Sequence, residues 1–179
     1  KSKFIQPNDW DKFINKKDVK IIDTRNNYEY KIGHFKNAIN PKIDTFKKFN
    51  EYIKKNKDKF KNKKVAIYCT GGIRCEKAGP LMNRYGIDSY QLKGGILKYF
   101  EQTTSKLWNG ECFVFDYRVS LNKELSKGKS MLCYGCNTPL TIKETKSPKY
   151  EKGFTCPVCF DNMTEKKRRS LKDKREHWK

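Results

Sequence analysis

Short apolar runs alternate with amphipathic stretches along the first hundred residues, and this alternation constrains the fold more than any other feature. Residues 19–23, 65–68 and 89–92 have the composition of buried strands. Helical spacing marks four stretches: 8–14, with Asn8 or Asp9 as its cap, 44–60, 75–85 and 95–102. The alternation predicts an α/β fold, a parallel sheet with helices on both faces, in which chemistry takes place at the carboxyl ends of the strands.

The charge balance indicates a polyanionic partner. The 179 residues include 41 Lys and Arg against 20 Asp and Glu, a formal net charge of +21. Nucleic acid is the commonest partner of so basic a chain, although lysine-biased composition produces the same excess. The charge is concentrated in residues 42–64, with 10 Lys against 3 acidic residues, and in residues 165–179, with 8 basic residues against 3. Phosphate contact and simple solvation stay open for both.

Length and cysteine content suggest how the chain is organised. The pattern predicts an α/β domain over residues 1–103, a segment packing back on the sheet over 104–126, a four-cysteine module over 127–164 and a basic tail over 165–179. No apolar run is long enough to span a membrane, and no signal peptide opens the chain. An odd count of 7 cysteines favours metal or thiol chemistry in a reducing, cytoplasmic environment.

The segment Cys69-Thr70-Gly71-Gly72-Ile73-Arg74 joins a predicted strand to a predicted helix. Its glycines let successive backbone N–H groups point toward one spot, and with the helix N-terminus and Arg74 they form a cradle for an anion. A cysteine in such a cradle has a lowered pKa and is present as the reactive thiolate. We therefore predict Cys69 as the nucleophile; a buried, inert cysteine is the alternative.

The size of this loop separates two families. The corresponding loop of cysteine-dependent phosphatases is longer, whereas four residues between Cys69 and Arg74 leave room for something smaller, such as the outer sulfur of a persulfide. In this respect the chain resembles the rhodanese family. Further segments share the resemblance: Asp23-Thr24-Arg25, Tyr28-Glu29 and Gly33-His34-Phe35-Lys36-Asn37-Ala38.

A closer resemblance rests on four segments in order, residues 22–26, 69–78, 92–99 and 110–116. So arranged, they resemble the oxygen-dependent tRNA uridine hydroxylases, which are rhodanese-domain proteins. The resemblance implies a rhodanese-like catalytic domain that converts wobble uridine to 5-hydroxyuridine, with Cys69 essential, tRNA as partner and molecular oxygen as cosubstrate. Members of that family usually carry an additional N-terminal domain, to which none of these 179 residues corresponds.

Two other functions stay open beside this one. The first is a sulfurtransferase that takes sulfur from a donor as a persulfide on Cys69, and the second is a non-catalytic RNA-binding module. Among the supporting residues, Arg25 is expected to reach the cradle or to pair with Glu29, and Asp23 to tie down a loop or take part in chemistry. We expect His34 to be structural and Cys112 to lie in the core.

Two further positions concern the predicted helix after the loop. Cys75 follows Arg74 directly, and we expect it to pack in the core, with the resolution of an oxidised Cys69 as the alternative. Gly79-Pro80 interrupts the helical pattern, and we expect a tolerated kink with little effect on the loop.

Two cysteine pairs, Cys133-x-x-Cys136 and Cys156-x-x-Cys159, are separated by 19 residues. Each pair forms a knuckle, and two knuckles complete the tetrahedron of thiolates that zinc prefers. The spacing predicts a small zinc-ribbon-like module, and because all four ligands come from the protein, the zinc would be structural. Two disulfides or four free thiols are the alternatives. No glycine-rich fingerprint for an organic cofactor is visible.

Overall fold

A four-stranded parallel sheet forms the centre of the computed structural model, which describes residues 3–176. Its strands are β1 (Lys3–Ile5), β2 (Val19–Asp23), β4 (Lys64–Tyr68) and β5 (Asp88–Leu92), in the order β1-β5-β4-β2. Each neighbouring pair is parallel. The three predicted strands and the α/β class are confirmed, and β1 is an additional edge strand that was not predicted.

Helices cover both faces of this sheet. Helices α1 (Pro7–Ile14) and α5 (Gly95–Gln102) pack on one face, and α3 (Phe49–Asn56) and α4 (Ile73–Arg84) pack on the other. Strand β4 serves both cores, because successive side chains of a strand point to opposite faces. Its Ala66 and Tyr68 belong to the first core, and its Val65 and Ile67 belong to the second.

Two of the predicted helices differ in detail. Helix α1 is capped by Gln6 and begins at Pro7, so the predicted cap at Asn8 or Asp9 is wrong. Proline is well suited to the first helical position, where an N–H has no partner anyway. Residues 44–60 form a 3₁₀ turn at Phe46–Lys48, then α3, then a second 3₁₀ turn at Lys57–Phe60.

Helix α4 runs through Pro80 without a break. Pro80 has no N–H to donate to the carbonyl group of Glu76, four residues earlier. Both residues are exposed, so this carbonyl group lies toward water rather than in the core. The expectation that Pro80 has little effect on the loop before the helix stays a prediction.

The residues between β2 and β4 contain α2 (Asn27–Ile32) and β3 (Gly33–Phe35), neither of which was predicted. Strand β3 pairs antiparallel with β6 (Trp108–Gly110). After β6, a second antiparallel pair follows, β7 (Cys112–Phe113) with β8 (Ser120–Leu121). Trp108 and Cys112 are buried in the core that α1 and α5 cover, so the predicted connecting segment completes that core. The predicted domain boundaries stay predictions.

The C-terminal part of the described chain is small. It contains the antiparallel strands β9 (Met131–Leu132) and β10 (Pro139–Leu140), and the helix α6 (Glu165–Glu176). Arg168 of α6 lies over the ring of Phe160 at 5.5 Å and donates a hydrogen bond to its carbonyl. Residues 177–179 of the predicted basic tail lie outside the described residues. No helix within residues 3–176 has the length and apolar character needed to cross a membrane.

Candidate active site

The predicted loop starts at the carboxyl end of β4, and the N-terminus of α5 holds it in place. The backbone N–H of Ile96 donates to the Cys69 carbonyl at 3.0 Å, and that of Leu97 donates to the Thr70 carbonyl at 3.2 Å. Gly95 has a φ of +68°, and a Cβ there would stand 2.5 Å from both carbonyl oxygens. Only glycine therefore allows this close approach of helix and loop.

The Cys69 sulfur accepts a hydrogen bond from a loop amide. The N–H of Gly72, the cap of α4 with a φ of +94°, donates to the Cys69 Sγ at 3.1 Å. These surroundings lower the pKa of Cys69 to about 6. The largest cause is the Cys75 thiol acting as a hydrogen-bond donor, and burial opposes it. The backbone N–H groups of Cys75 and Arg74 and the Arg74 charge lower the pKa further. About 90% of Cys69 is then thiolate at pH 7, the state required of a nucleophile.

Cys75 is fully buried in the first turn of α4. Burial raises the pKa of Cys75 well above its ordinary value, and the hydrogen bond with Cys69 raises it further. Its Sγ also lies 3.5 Å from the Thr24 hydroxyl oxygen, but an anionic sulfur is the stronger acceptor. Cys75 thus packs in the core, as expected, and as a protonated neighbour it also lowers the pKa of Cys69. No local pattern in the sequence indicates this second role.

Arg74 is held by Glu29. Its two terminal nitrogens donate to the two carboxylate oxygens at 2.6 and 2.8 Å, and one of them lies 3.5 Å from the Thr70 hydroxyl. Glu29 is fully buried, and its carboxylate also accepts the backbone N–H of Asn26 at 3.1 Å. Burial would lower the pKa of Arg74, but Glu29 raises it. Arg74 therefore contributes its charge from beside the loop, in a position set by α2.

Arg25 forms a second buried ion pair with Asp23. Its Nη2 lies 2.7 Å from Asp23 Oδ2 and donates to the Gly33 carbonyl at 2.6 Å, and its backbone N–H donates to Asp23 Oδ1 at 2.9 Å. Burial alone would lower the pKa of Arg25, but the Asp23 carboxylate raises it above its ordinary value. Of the two expectations for Arg25, the pair with Glu29 is wrong, because Glu29 is bound to Arg74. The hydrogen bonds of the Arg25 guanidinium go to Asp23 and Gly33 rather than to the loop. Asp23 and Arg25 tie down the connection from β2 to β3.

Two other candidate residues are structural, in agreement with the sequence. His34 stacks on the Tyr30 ring at 4.0 Å, and its Nδ1 lies 2.9 Å from the Tyr30 carbonyl. Cys112 is fully buried, and burial raises its pKa to about 12.

The four paired cysteines meet in the C-terminal part of the chain. The Sγ atoms of Cys133, Cys136, Cys156 and Cys159 all lie within 4.8 Å of one another. Three of the sulfur–sulfur distances are 3.7, 3.8 and 3.9 Å. A tetrahedral zinc site with bonds of about 2.3 Å has edges of about 3.8 Å, whereas a disulfide has a bond of about 2.05 Å. The cluster can thus hold a metal ion such as zinc.

The buried apolar cluster of this region consists of Cys133, Leu140 and Cys156, with Tyr150 and the other two cysteines packed against it. So small a core does not order a segment of this length, and small modules commonly depend on a metal for that purpose. With four protein ligands and no open position, the bound ion would have a structural role.

The fold and the loop together define a class, the α/β domains that carry a low-pKa cysteine in a cradle at the end of a central parallel strand. Within that class the chain belongs to the rhodanese-like domain family, which residues 6–102 match, just over half of its length. Three solved structures illustrate the similarity. A rhodanese-like domain protein from Staphylococcus aureus is 29% identical, with 54% of this chain and 90% of that chain covered and a TM-score of 0.45.

The other two structures come from Saccharomyces cerevisiae. One is an uncharacterised protein, 19% identical over 59% of this chain and 97% of that chain, with a TM-score of 0.50. The other is a single-domain sulfurtransferase, 16% identical over 60% of this chain and 95% of that chain, with a TM-score of 0.48. At 19% identity and a TM-score of 0.50, the uncharacterised yeast protein is similar to this chain in fold alone.

Proposed function

We propose that this protein is a cytoplasmic tRNA-modifying enzyme that hydroxylates the wobble uridine to 5-hydroxyuridine, with Cys69 as its reactive group. The observation that carries the proposal is the position of Cys69, whose Sγ accepts the Gly72 amide at 3.1 Å within a segment that resembles the tRNA uridine hydroxylases. The lowered pKa of Cys69, about 6, agrees with a reactive thiolate there. The net charge of +21 supports a polyanionic substrate.

Each predicted site residue has a role in this proposal. Cys69 is the catalytic thiolate, residues 70–73 provide the loop around it, and Arg74 contributes positive charge from its place beside Glu29. Asp23 and Arg25 keep the connection after β2 rigid and so support the loop. Molecular oxygen is the proposed cosubstrate, and a zinc ion bound by the four cysteines would order the C-terminal module.

The experiment is nucleoside mass analysis of tRNA from cells that lack the protein. We expect 5-hydroxyuridine at the wobble position to disappear and the wild-type gene to restore it. Cys69→Ala and Cys69→Ser should fail to restore it, because neither side chain is ionised at neutral pH, and immunoblotting controls for their abundance. An unchanged nucleoside profile in the deletion strain would reject the hydroxylase proposal. Full restoration by Cys69→Ala would instead support the non-catalytic RNA-binding module.

A sulfurtransferase is the second candidate, and the size of the loop favours it. Only four residues separate Cys69 from Arg74, fewer than in the cysteine-dependent phosphatases, and a loop of this size favours one additional sulfur atom over a phosphoryl group. In this reaction the Cys69 thiolate attacks the outer sulfur of thiosulfate, the sulfur–sulfur bond breaks, and sulfite leaves. An acceptor such as cyanide then takes the outer sulfur from the Cys69 persulfide and releases the thiolate.

The two candidate functions are distinguished by measuring both products, 5-hydroxyuridine and thiocyanate, for the wild type and the Cys69 variants. Purified protein is incubated with thiosulfate and cyanide, thiocyanate is measured, and the Cys69 peptide is examined for the mass of one added sulfur. Rapid thiocyanate formation together with an unchanged tRNA profile in the deletion strain would support the sulfurtransferase. Loss of 5-hydroxyuridine without sulfur transfer would support the hydroxylase.

A further inference from the structure

A cavity of about 640 Å³ lies where α2 and the β7–β8 segment face the four-cysteine region. Three aromatic side chains line it, those of Tyr28, Phe113 and Phe115. Leu132 and Val158 are among the aliphatic side chains of its wall. Phe115 is 71% exposed, and Leu132 and Val158 are nearly half exposed. Apolar side chains grouped around a cavity and left open to water indicate a site for a ligand or partner.

The aromatic wall is continuous with the active-site loop. Tyr28 meets Phe113 edge to face at 5.3 Å, and Phe113 meets Phe115 in the same manner at 4.9 Å. The guanidinium of Arg74 lies 5.9 Å from the Phe115 ring on one side and 3.5 Å from the Thr70 hydroxyl on the other. A flat ligand against Phe115 would therefore be bound next to the Cys69 loop.

A basic groove adjoins this cavity and shares Asn27, Lys31 and Glu144 with it. The groove is also lined by Lys42, at the start of the lysine-rich segment 42–64, and by Lys143. All three lysines are exposed, and within residues 3–176 none of them forms an ion pair.

Three carboxylates face these cavities, those of Asp44, Asp116 and Glu144, and each has a partner. Asp116 pairs with Arg118 at 2.6 Å. Glu144 accepts hydrogen bonds from the Thr141 N–H at 2.8 Å and from its hydroxyl at 2.9 Å. Asp44 pairs with Lys48 at 3.0 Å. Only Glu144 lines the groove itself, against three lysines, so the groove has the net positive charge that a phosphate backbone requires.

We propose that the aromatic cavity binds an unstacked nucleobase of single-stranded RNA and that the lysines of the adjoining groove bind its phosphates. The choice of RNA rests on the proposed function. An aromatic platform beside a cationic groove is the arrangement that single-stranded nucleic acids need, because every base has a flat face that stacks and every nucleotide carries a charge. A base bound here would bring its neighbours in the strand to the Cys69 loop.

The experiment compares RNA binding by two exposed aromatic variants of the full chain. A fluorescein-labelled oligouridylate is titrated by fluorescence anisotropy with the wild type, Phe115→Ala and Tyr117→Ala. Tyr117 is 86% exposed, lies on the same segment and does not line the cavity, so it is the matched control. We expect Phe115→Ala to weaken binding roughly 5- to 150-fold, the range for one stacked base, and Tyr117→Ala to leave it unchanged.

Competition with inorganic polyphosphate, which has no bases, distinguishes base stacking from the binding of phosphates by lysines. Phe115→Ala should leave polyphosphate binding unchanged, whereas Lys42→Gln with Lys143→Gln should weaken both polyphosphate and oligouridylate and reduce the salt dependence of binding. Equal oligouridylate affinity of Phe115→Ala and the wild type, or no binding by the wild type at low salt, would overturn the inference. If tRNA nucleosides prove independent of Cys69 while Phe115→Ala still weakens oligouridylate binding, the proposed function fails and the RNA site remains.

Discussion

The Cys75 thiol makes a testable contribution to the reactivity of Cys69. Its hydrogen bond is the largest influence that lowers the pKa of Cys69 to about 6 from the ordinary value of 9.0. This difference corresponds to roughly 4 kcal/mol in favour of the thiolate. Cys75→Ala removes the donor and leaves the Gly72 amide and the Arg74 charge in place, so we expect part of the stabilisation to be lost.

The magnitude follows from the strength of such a bond. A hydrogen bond to a charged acceptor contributes about 1.5–3 kcal/mol, and a thiol is a weak donor, so the lower end of this range applies. A loss of about 1.4 kcal/mol would raise the pKa of Cys69 to roughly 7. The thiolate fraction at pH 7 would then fall from about 90% to about 50%. Cys75→Ser keeps a donor and should keep the pKa near 6.

The assay is the ultraviolet absorbance of the thiolate, measured against pH. Each of the wild type, Cys75→Ala and Cys75→Ser is compared with the same protein carrying Cys69→Ser, which cancels the contribution of the other thiols. The Cys69 absorbance should appear as pH rises through about 6 in the wild type and through roughly 7 in Cys75→Ala. An unchanged midpoint in Cys75→Ala, or an equal rise in Cys75→Ser, would refute the role of the thiol donor.

Three further predictions concern the loop, its ion pair and the metal. Gly95→Ala should raise the pKa of Cys69 by displacing the loop, because its Cβ would stand 2.5 Å from two loop carbonyl oxygens. Gly86→Ala, with a φ of +71° but open space around its Cβ, should cost about 1 kcal/mol of stability and leave that pKa unchanged. Glu29→Gln should lower the free energy of unfolding in urea by about 3 kcal/mol, because Arg74 loses a buried partner. Asp116→Asn, at an exposed ion pair, should leave it unchanged within error. A zinc chelator should release one metal ion per chain and make residues 127–164 sensitive to protease. The near-ultraviolet circular dichroism of the α/β domain should persist. Retention of protease resistance after the metal is removed would contradict a structural role for the ion.

Local features of the sequence were enough to predict three of the four strands of the central sheet, the fold class and the position of the loop. Apolar runs such as residues 65–68 indicate which residues are buried. The two glycines between Cys69 and Arg74 indicate a backbone that turns sharply. The paired cysteines are similarly local, because each knuckle is complete within four residues. The helix α2 could also have been found, since the spacing of Asn26 and Glu29 is that of a capping box.

The interactions that tune Cys69 depend on contacts between distant parts of the chain. Glu29 and Arg74 are 45 residues apart, and nothing local distinguishes that pair from the alternative with Arg25. The close approach of Gly95 to the loop and the aromatic cavity beside Phe115 likewise exist only once the strands are in register. The sequence thus specifies which groups can react, while folding specifies the electric and steric surroundings that set their pKa, because those depend on separations of a few ångströms in space.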